Sequence, residues 1–103
     1  MADVQPRMVF LGFGKYARAD RIYALEPDEA TERHYHRLSE EIYFVVKGSG
    51  DLEVDGEHKR FAVGDAVLIP PGAWHTLWNN GTSELRILCC CVPPYSHDDT
   101  YFE

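Results

Sequence analysis

Apolar residues recur along the chain in short β-branched or aromatic runs, divided by Gly, Pro, Asn and Asp. No window sustains the i, i+3, i+4 spacing that would give a helix one apolar stripe. The pattern predicts strands at Met8–Gly12, Arg21–Leu25, Glu32–His36, Ile42–Lys47, Asp51–Val54, Lys59–Val63, Ala66–Ile69, Thr76–Trp78 and Leu85–Val92. Asp55-Gly56, set between two alternating segments, is the strongest hairpin signal, because glycine accepts the positive φ of a tight turn. Asn79-Asn80-Gly81 marks a second turn. Many short strands at this spacing predict an all-β sandwich or barrel.

At 103 residues the chain has room for one domain, 1–103, with its core over about 21–92, an N-terminal strand over 8–13 and a tail over 93–103. The longest apolar runs, such as Leu85–Pro94, reach about ten residues, where a membrane-spanning helix needs about 20. No such helix is expected. Met1 to Phe10 lacks a basic start followed by a long apolar stretch, so cytoplasmic residence is the expectation. A formal charge of −7 disfavours nucleic acid as a partner, since it repels a phosphate backbone. Cys89, Cys90 and Cys91 are contiguous, so a strand points neighbours to opposite faces and bridging them would strain the chain. They read as reduced thiols filling space, with no basic partner that would make one a nucleophile.

The chemistry concentrates in His34-Tyr35-His36, with Glu41 and His75 following. Residues i and i+2 of a strand share a face at roughly 6.6 Å, so two imidazoles can point at one place. A His-x-His pair by itself is more often two ordinary surface or core histidines. With Glu41 and His75 added, the set of three imidazoles and a carboxylate suits one divalent transition metal ion: Fe, Mn, Ni, Cu, Co or Zn. Six-coordinate geometry would leave two positions open.

From His34 the spacing runs H-x-H-x(4)-E-x(6)-G through Gly48, and from Gly64 it runs G-x(5)-P-x-G-x(2)-H-x(3)-N through Asn79. Fifteen residues lie between Gly48 and Gly64. The chain resembles a small single-domain cupin over residues from about Arg21 to Cys91. One position departs from the family pattern: the Gly that commonly stands six residues before the first His is Asp28 here. The resemblance implies a double-stranded β-helix jelly-roll barrel, with His34, His36, Glu41 and His75 as the metal ligands. Gly48, Gly64, Pro70 and Gly72 then serve turns, and Asn79 reads as a turn residue rather than a ligand.

Counting by twos from Glu41 places Tyr43 and Val45 on the metal-facing side, and counting from His75 adds Leu77. These three are the expected substrate contacts. Ile42, Phe44 and Val46 then face another layer or a partner, and Trp74 and Trp78 pack elsewhere. His58 reads as part of a solvated hairpin, and His97 as part of a Pro-broken acidic tail. The resemblance permits a metal-dependent enzyme acting on a small organic molecule by dioxygenase, decarboxylase, isomerase, epimerase or cyclase chemistry, with Glu41 shifting between ligand and base. A non-catalytic module that binds or senses a small molecule is the alternative. Apolar segments at Ile42–Val46 and Met8–Phe13 predict a homodimer. Tyr101 and Phe102 predict an ordered tail in which both rings, docked on the barrel or on a second subunit, are substantially buried.

Overall fold

The computed structural model describes residues 8–10, 16–93 and 96–103, with side chains described from Ile22 onward. They form β1 (Met8–Phe10), β2 (Tyr16–Leu25), β3 (His34–His36), β4 (Glu40–Lys47), β5 (Ser49–Val54), β6 (Glu57–Ala62), β7 (Ala66–Ile69), β8 (His75–Trp78), β9 (Leu85–Val92) and β10 (Thr100–Phe102). Residues 11–13 of the expected N-terminal strand lie outside the described residues. The only helical element among the described residues is one 3-10 turn, His97–Asp99, so no helix there is long and apolar enough to cross a membrane.

Two five-stranded antiparallel sheets, in the orders β1-β2-β9-β4-β7 and β10-β3-β8-β5-β6, make the jelly roll that the strand pattern leads to. Strand β9 shows why: buried and half-buried positions alternate along its whole length, the period of a strand with one face in a core. Leu85, Ile87, Cys89 and Cys91 point inward from it, against Tyr43 and Val45 of the neighbouring β4. Leu52, Phe61 and Leu77 bring the second sheet into the same apolar cluster.

Two turns explain residue choices that the strand pattern alone does not. Asp55 and Gly56 take φ values of 51° and 86°, both positive, as a two-residue hairpin turn requires. Asp28, standing at the usual glycine position, takes φ 73°, a left-handed conformation that Asp tolerates better than most side chains. Its amide donates to the Asn79 carbonyl at 2.8 Å. Asn79 itself is buried and serves its turn: its amide group donates to the Leu25 and Ser83 carbonyls, and its side-chain oxygen accepts from Gly81 N–H. Gly48 is constrained by space as well as by φ, since a Cβ there would collide with the Glu84 carbonyl.

Strand β2 begins at Tyr16, five residues ahead of its expected start at Arg21. Arg18 and Asp20 disguise the early part, which pairing with β1 and β9 holds in the sheet. The tail requires a correction. It is ordered, but within the single chain Tyr101 and Phe102 are 37% and 48% exposed, so the barrel itself does not substantially bury them. Residues 100–102 add to the open edge of β3 as a strand, which turns Tyr101 to the outer face while Phe102, opposite His34, sits at the margin of the sheet with its ring 6.0 Å from that imidazole. Tyr101 stacks flat on Tyr35, with ring centroids 5.0 Å apart. The buried anchor of the tail is Asp99 instead.

Candidate metal centre

β3 and β8 are neighbours in one sheet, and their register sets His34 opposite His75 with ring centroids 4.2 Å apart. His36, two residues along the same face, has its ring 5.0 Å from His34 and 5.7 Å from His75. Glu41 enters from β4 in the facing sheet, after a short connection from the end of β3. One ligand atom from each of these four residues falls within 4.8 Å of the others, and all four residues are buried. The structure therefore brings together the four residues that the motif spacing singles out.

Each imidazole has its Nδ1 turned to a backbone carbonyl oxygen: His34 to Glu32 at 2.7 Å, His36 to Asp99 at 3.3 Å and His75 to Ala73 at 2.9 Å. A carbonyl can only accept, so Nδ1 carries the proton and a neutral ring keeps its lone pair at Nε2. Glu41 Oε1 lies 2.8 Å from His36 Nε2 and 3.0 Å from His75 Nε2. Lone pairs facing lone pairs at those distances require a cation among them, either a metal ion or a proton. The residues fit a divalent transition metal on that count and by donor type.

The electrostatics agree. Burial, opposed by the bond to the Glu32 carbonyl, holds His34 below the ordinary imidazole pKa, so it stays neutral. At His36 burial also works downward, but the Glu41 carboxylate outweighs it and holds the ring above its ordinary value. For Glu41, burial would raise the pKa, yet the cation it shares with His36 and His75, a proton on the rings where no metal is bound, and the hydrogen bond from the Cys89 thiol hold it far below the usual carboxylate range.

Two residues read from the sequence as inert fillers prove to be built into this site. The register lays Cys91 opposite Glu41 and Cys89 opposite Tyr43, so both thiols point inward beside the carboxylate. Cys89 Sγ donates to Glu41 Oε2 at 3.0 Å and Cys91 Sγ at 3.3 Å, which leaves Oε1 facing the histidines. The Cys91 sulfur, burial and the adjacent carboxylate push the Cys89 thiol up, so it remains a protonated donor. The period of β9 gave a sequence signal that Cys89 and Cys91 share a face, but no signal that Glu41 lies beside them. Changing both to alanine should leave a buried carboxylate oxygen without these donors and cost about 1–3 kcal/mol in urea unfolding. Cys89→Ser with Cys91→Ser, which keeps hydroxyl donors, should recover part of that; a double alanine variant as stable as the parent would remove the thiols from this role.

Tyr43, Val45 and Leu77 all face inward and are essentially fully buried. Tyr43 reaches the site, its ring 5.8 Å from that of His75, and its hydroxyl has no hydrogen-bond partner among the described residues. Complete burial pushes the phenol pKa well above its ordinary value. Val45 and Leu77 belong to the apolar cluster. Trp74 packs on the outside against Tyr35, at 4.7 Å, and beneath the Arg33 guanidinium, at 5.2 Å. Trp78 is exposed. His58 is in the solvent-facing hairpin, 2.7 Å from Asp51, and His97 lies near Phe102, apart from the four-residue cluster.

The chain matches the family model of the cupin domain over residues 21–91. It is 46% identical over 67 residues to an uncharacterised protein of Methanocaldococcus jannaschii, covering 65% of this chain and 54% of that one. It is 33% identical over 64 residues to the polyketide synthase protein CurC of Streptomyces cyaneus, covering 62% of this chain and 42% of that one. The chain spans about half the length of the curated relatives it matches. Among solved structures, a Thermus thermophilus protein superposes with a TM-score of 0.69 at 27% identity, covering 88% of this chain and 84% of that one.

Proposed function

The chain belongs to the cupin domain family, and from that premise we propose that it is a metal-dependent enzyme acting on a small organic molecule, with the ion held by His34, His36, Glu41 and His75. The observation that carries the reading is the buried convergence of their four ligand atoms within 4.8 Å, in rings whose Nδ1 atoms are already committed. A bound Fe, Mn, Ni, Cu, Co or Zn ion would supply Lewis-acid or redox chemistry there. The protein's own part is to hold Nε2 lone pairs inward, to keep Glu41 ionised as ligand or base, and to exclude water.

Tyr43 is the substrate contact this reading favours, because its buried hydroxyl can donate to an oxygen of a bound molecule. Val45 and Leu77 supply apolar walls. Such surroundings suit an aromatic or polyketide-like molecule better than a sugar phosphate, and the likeness to a polyketide synthase protein supports that class. The test is to load the purified protein with each of the six ions and incubate it in air with hydroxylated aromatic acids and poly-β-keto compounds, following products by mass spectrometry. A product formed only with metal, and lost in His75→Ala, is expected. Saturable binding with no product under any ion would replace this reading with a non-catalytic binding module.

A homodimer and cytoplasmic residence belong to the same proposal. On the outer face of β4, Phe44 and Val46 are each 39% exposed, and Leu68 beside them on β7 is 56% exposed. Register pairs Ile42 with Leu68 and Phe44 with Leu88, so the apolar side chains are contiguous across three strands. A monomer would leave that face in water. Light scattering is expected to give twice the mass of one chain, and Phe44→Lys with Leu68→Lys should halve it. A parent protein with the mass of one chain would overturn the dimer.

A further inference from the structure

Asp99 lies outside the residues matched by the family model and outside both sequence motifs, yet it is nine-tenths buried. Its carboxylate accepts from three consecutive backbone amides: Oδ1 from Arg37 at 3.1 Å and Leu38 at 3.0 Å, and Oδ2 from Leu38 at 3.1 Å and Ser39 at 3.0 Å. Successive N–H groups converging on one anion form a nest, and bonds to an ionised acceptor are about twice as strong as neutral ones. The amides belong to the connection between His36 at the end of β3 and Glu40 at the start of β4, one residue before Glu41. Ser39 Oγ ties the same connection to the Pro93 carbonyl at 2.8 Å.

The backbone beside that carboxylate touches the site directly. The Asp99 carbonyl accepts from His36 Nδ1 at 3.3 Å, and Thr100 Oγ1 lies 3.3 Å from the same nitrogen. Thr100 Oγ1 donates its own proton to the Ser96 carbonyl at 2.9 Å, so it faces His36 as an acceptor. The pairing of Thr100 with His36 in the β10–β3 ladder sets this register.

We propose that Asp99 is a positioning residue of the metal centre: its carboxylate fixes the connection that spaces His36 from Glu41, and its carbonyl fixes the tautomer and ring plane of His36. The inference rests on reading His34, His36, Glu41 and His75 as the ligands. Residues 37–39 carry amide donors with no ladder of their own, and Leu38 is 61% exposed, so apart from the Ser39 tie to Pro93 little in the connection sets its shape. The carboxylate defines it. Metal–ligand bonds tolerate deviations of only about 0.2 Å, so loss of this clamp loosens the spacing of two ligands and weakens their hold on one ion.

The test uses the full-length chain, stripped of metal and titrated with Co(II) while its visible absorption is followed, for the parent and for Asp99→Ala, Asp99→Asn, Thr100→Val, Asp98→Ala and His75→Ala. The expected result for Asp99→Ala is Co(II) affinity weakened about 10–100-fold, the range typical of lost outer contacts. The bands at saturation should also shift, which a contact that merely ties down the tail would not cause. Thr100→Val should move the same way by less, and the exposed Asp98→Ala should match the parent. Should Asp99→Ala fail to fold, Asp99→Asn, which keeps the volume and one acceptor oxygen, carries the same comparison. Parent-like affinity, within about twofold, and an unchanged spectrum in the Asp99 variants would overturn the positioning role even if their melting temperatures fall. Parent-like binding by His75→Ala would instead overturn the ligand assignment, a separate outcome.

Discussion

Replacing His75 by alanine is expected to remove nearly all bound metal while the chain stays folded. The side chain is 1% exposed and central: its ring is the nearest neighbour of His34, and its Nε2 lies 3.0 Å from Glu41 Oε1. Its loss deletes a bond to the ion outright, so the fall in affinity should exceed the roughly 10–100-fold typical of outer contacts. The fold should persist because the apolar cluster built on Leu52, Tyr43, Ile69, Leu77 and Ile87 does not depend on the imidazole. His36→Ala should behave alike. Elemental analysis of the purified variants, with circular dichroism for the fold, checks both, and metal content equal to the parent in either variant would refute that ligand.

The second large effect is expected on stability and its pH dependence. An ion bound only by the folded chain stabilises it by mass action, about 4 kcal/mol when its free concentration is a thousand times Kd. Chelation should therefore lower the melting temperature, and protonation should do the same, since protons compete for the imidazole lone pairs. Without metal the signs differ by group. Glu41, held below its ordinary value of 4.5, contributes stability that is complete above pH 4.5 and lost as pH falls through its folded value. His34, lowered from 6.5 by burial, likewise loses its share as the pH drops below 6.5. His36, raised from 6.5 by Glu41, contributes fully below 6.5 and loses that share as pH rises through its higher folded value. The Glu41–His36 pair of the metal-free chain is then best formed between 4.5 and 6.5, whereas the increment due to metal should be gone by the lower end of that window. Thermal melts of stripped and loaded protein from pH 4 to 8 measure both. A midpoint that ignores verified metal removal, or a metal increment that survives undiminished at pH 4, would contradict this account.

Much of the site was legible because its information is local or carried by spacing. His34 and His36 face one way because a strand has a period of two, and Asp55-Gly56 turns because both residues accept positive φ. The alternation of β9 and the short, Gly- and Pro-divided runs were enough for an all-β fold of strands packed in two layers.

What only the tertiary structure decided is which strands lie side by side and in what register. Glu41 meets Cys91, separated from it in sequence by 50 residues, only because β9 lies beside β4 with those two residues opposed. Asp99 reaches the amide of Arg37 across 62 residues of sequence because β10 closes on the edge of β3. The same edge placement leaves Tyr101 and Phe102 part-exposed, where their apolar character alone argued for burial. Periodicity and turn chemistry depend on neighbours along the chain and can be read from it. Register and edge pairing depend on how distant segments share one core, and the thiols and the carboxylate that brace Glu41 and His36 belong to that second kind.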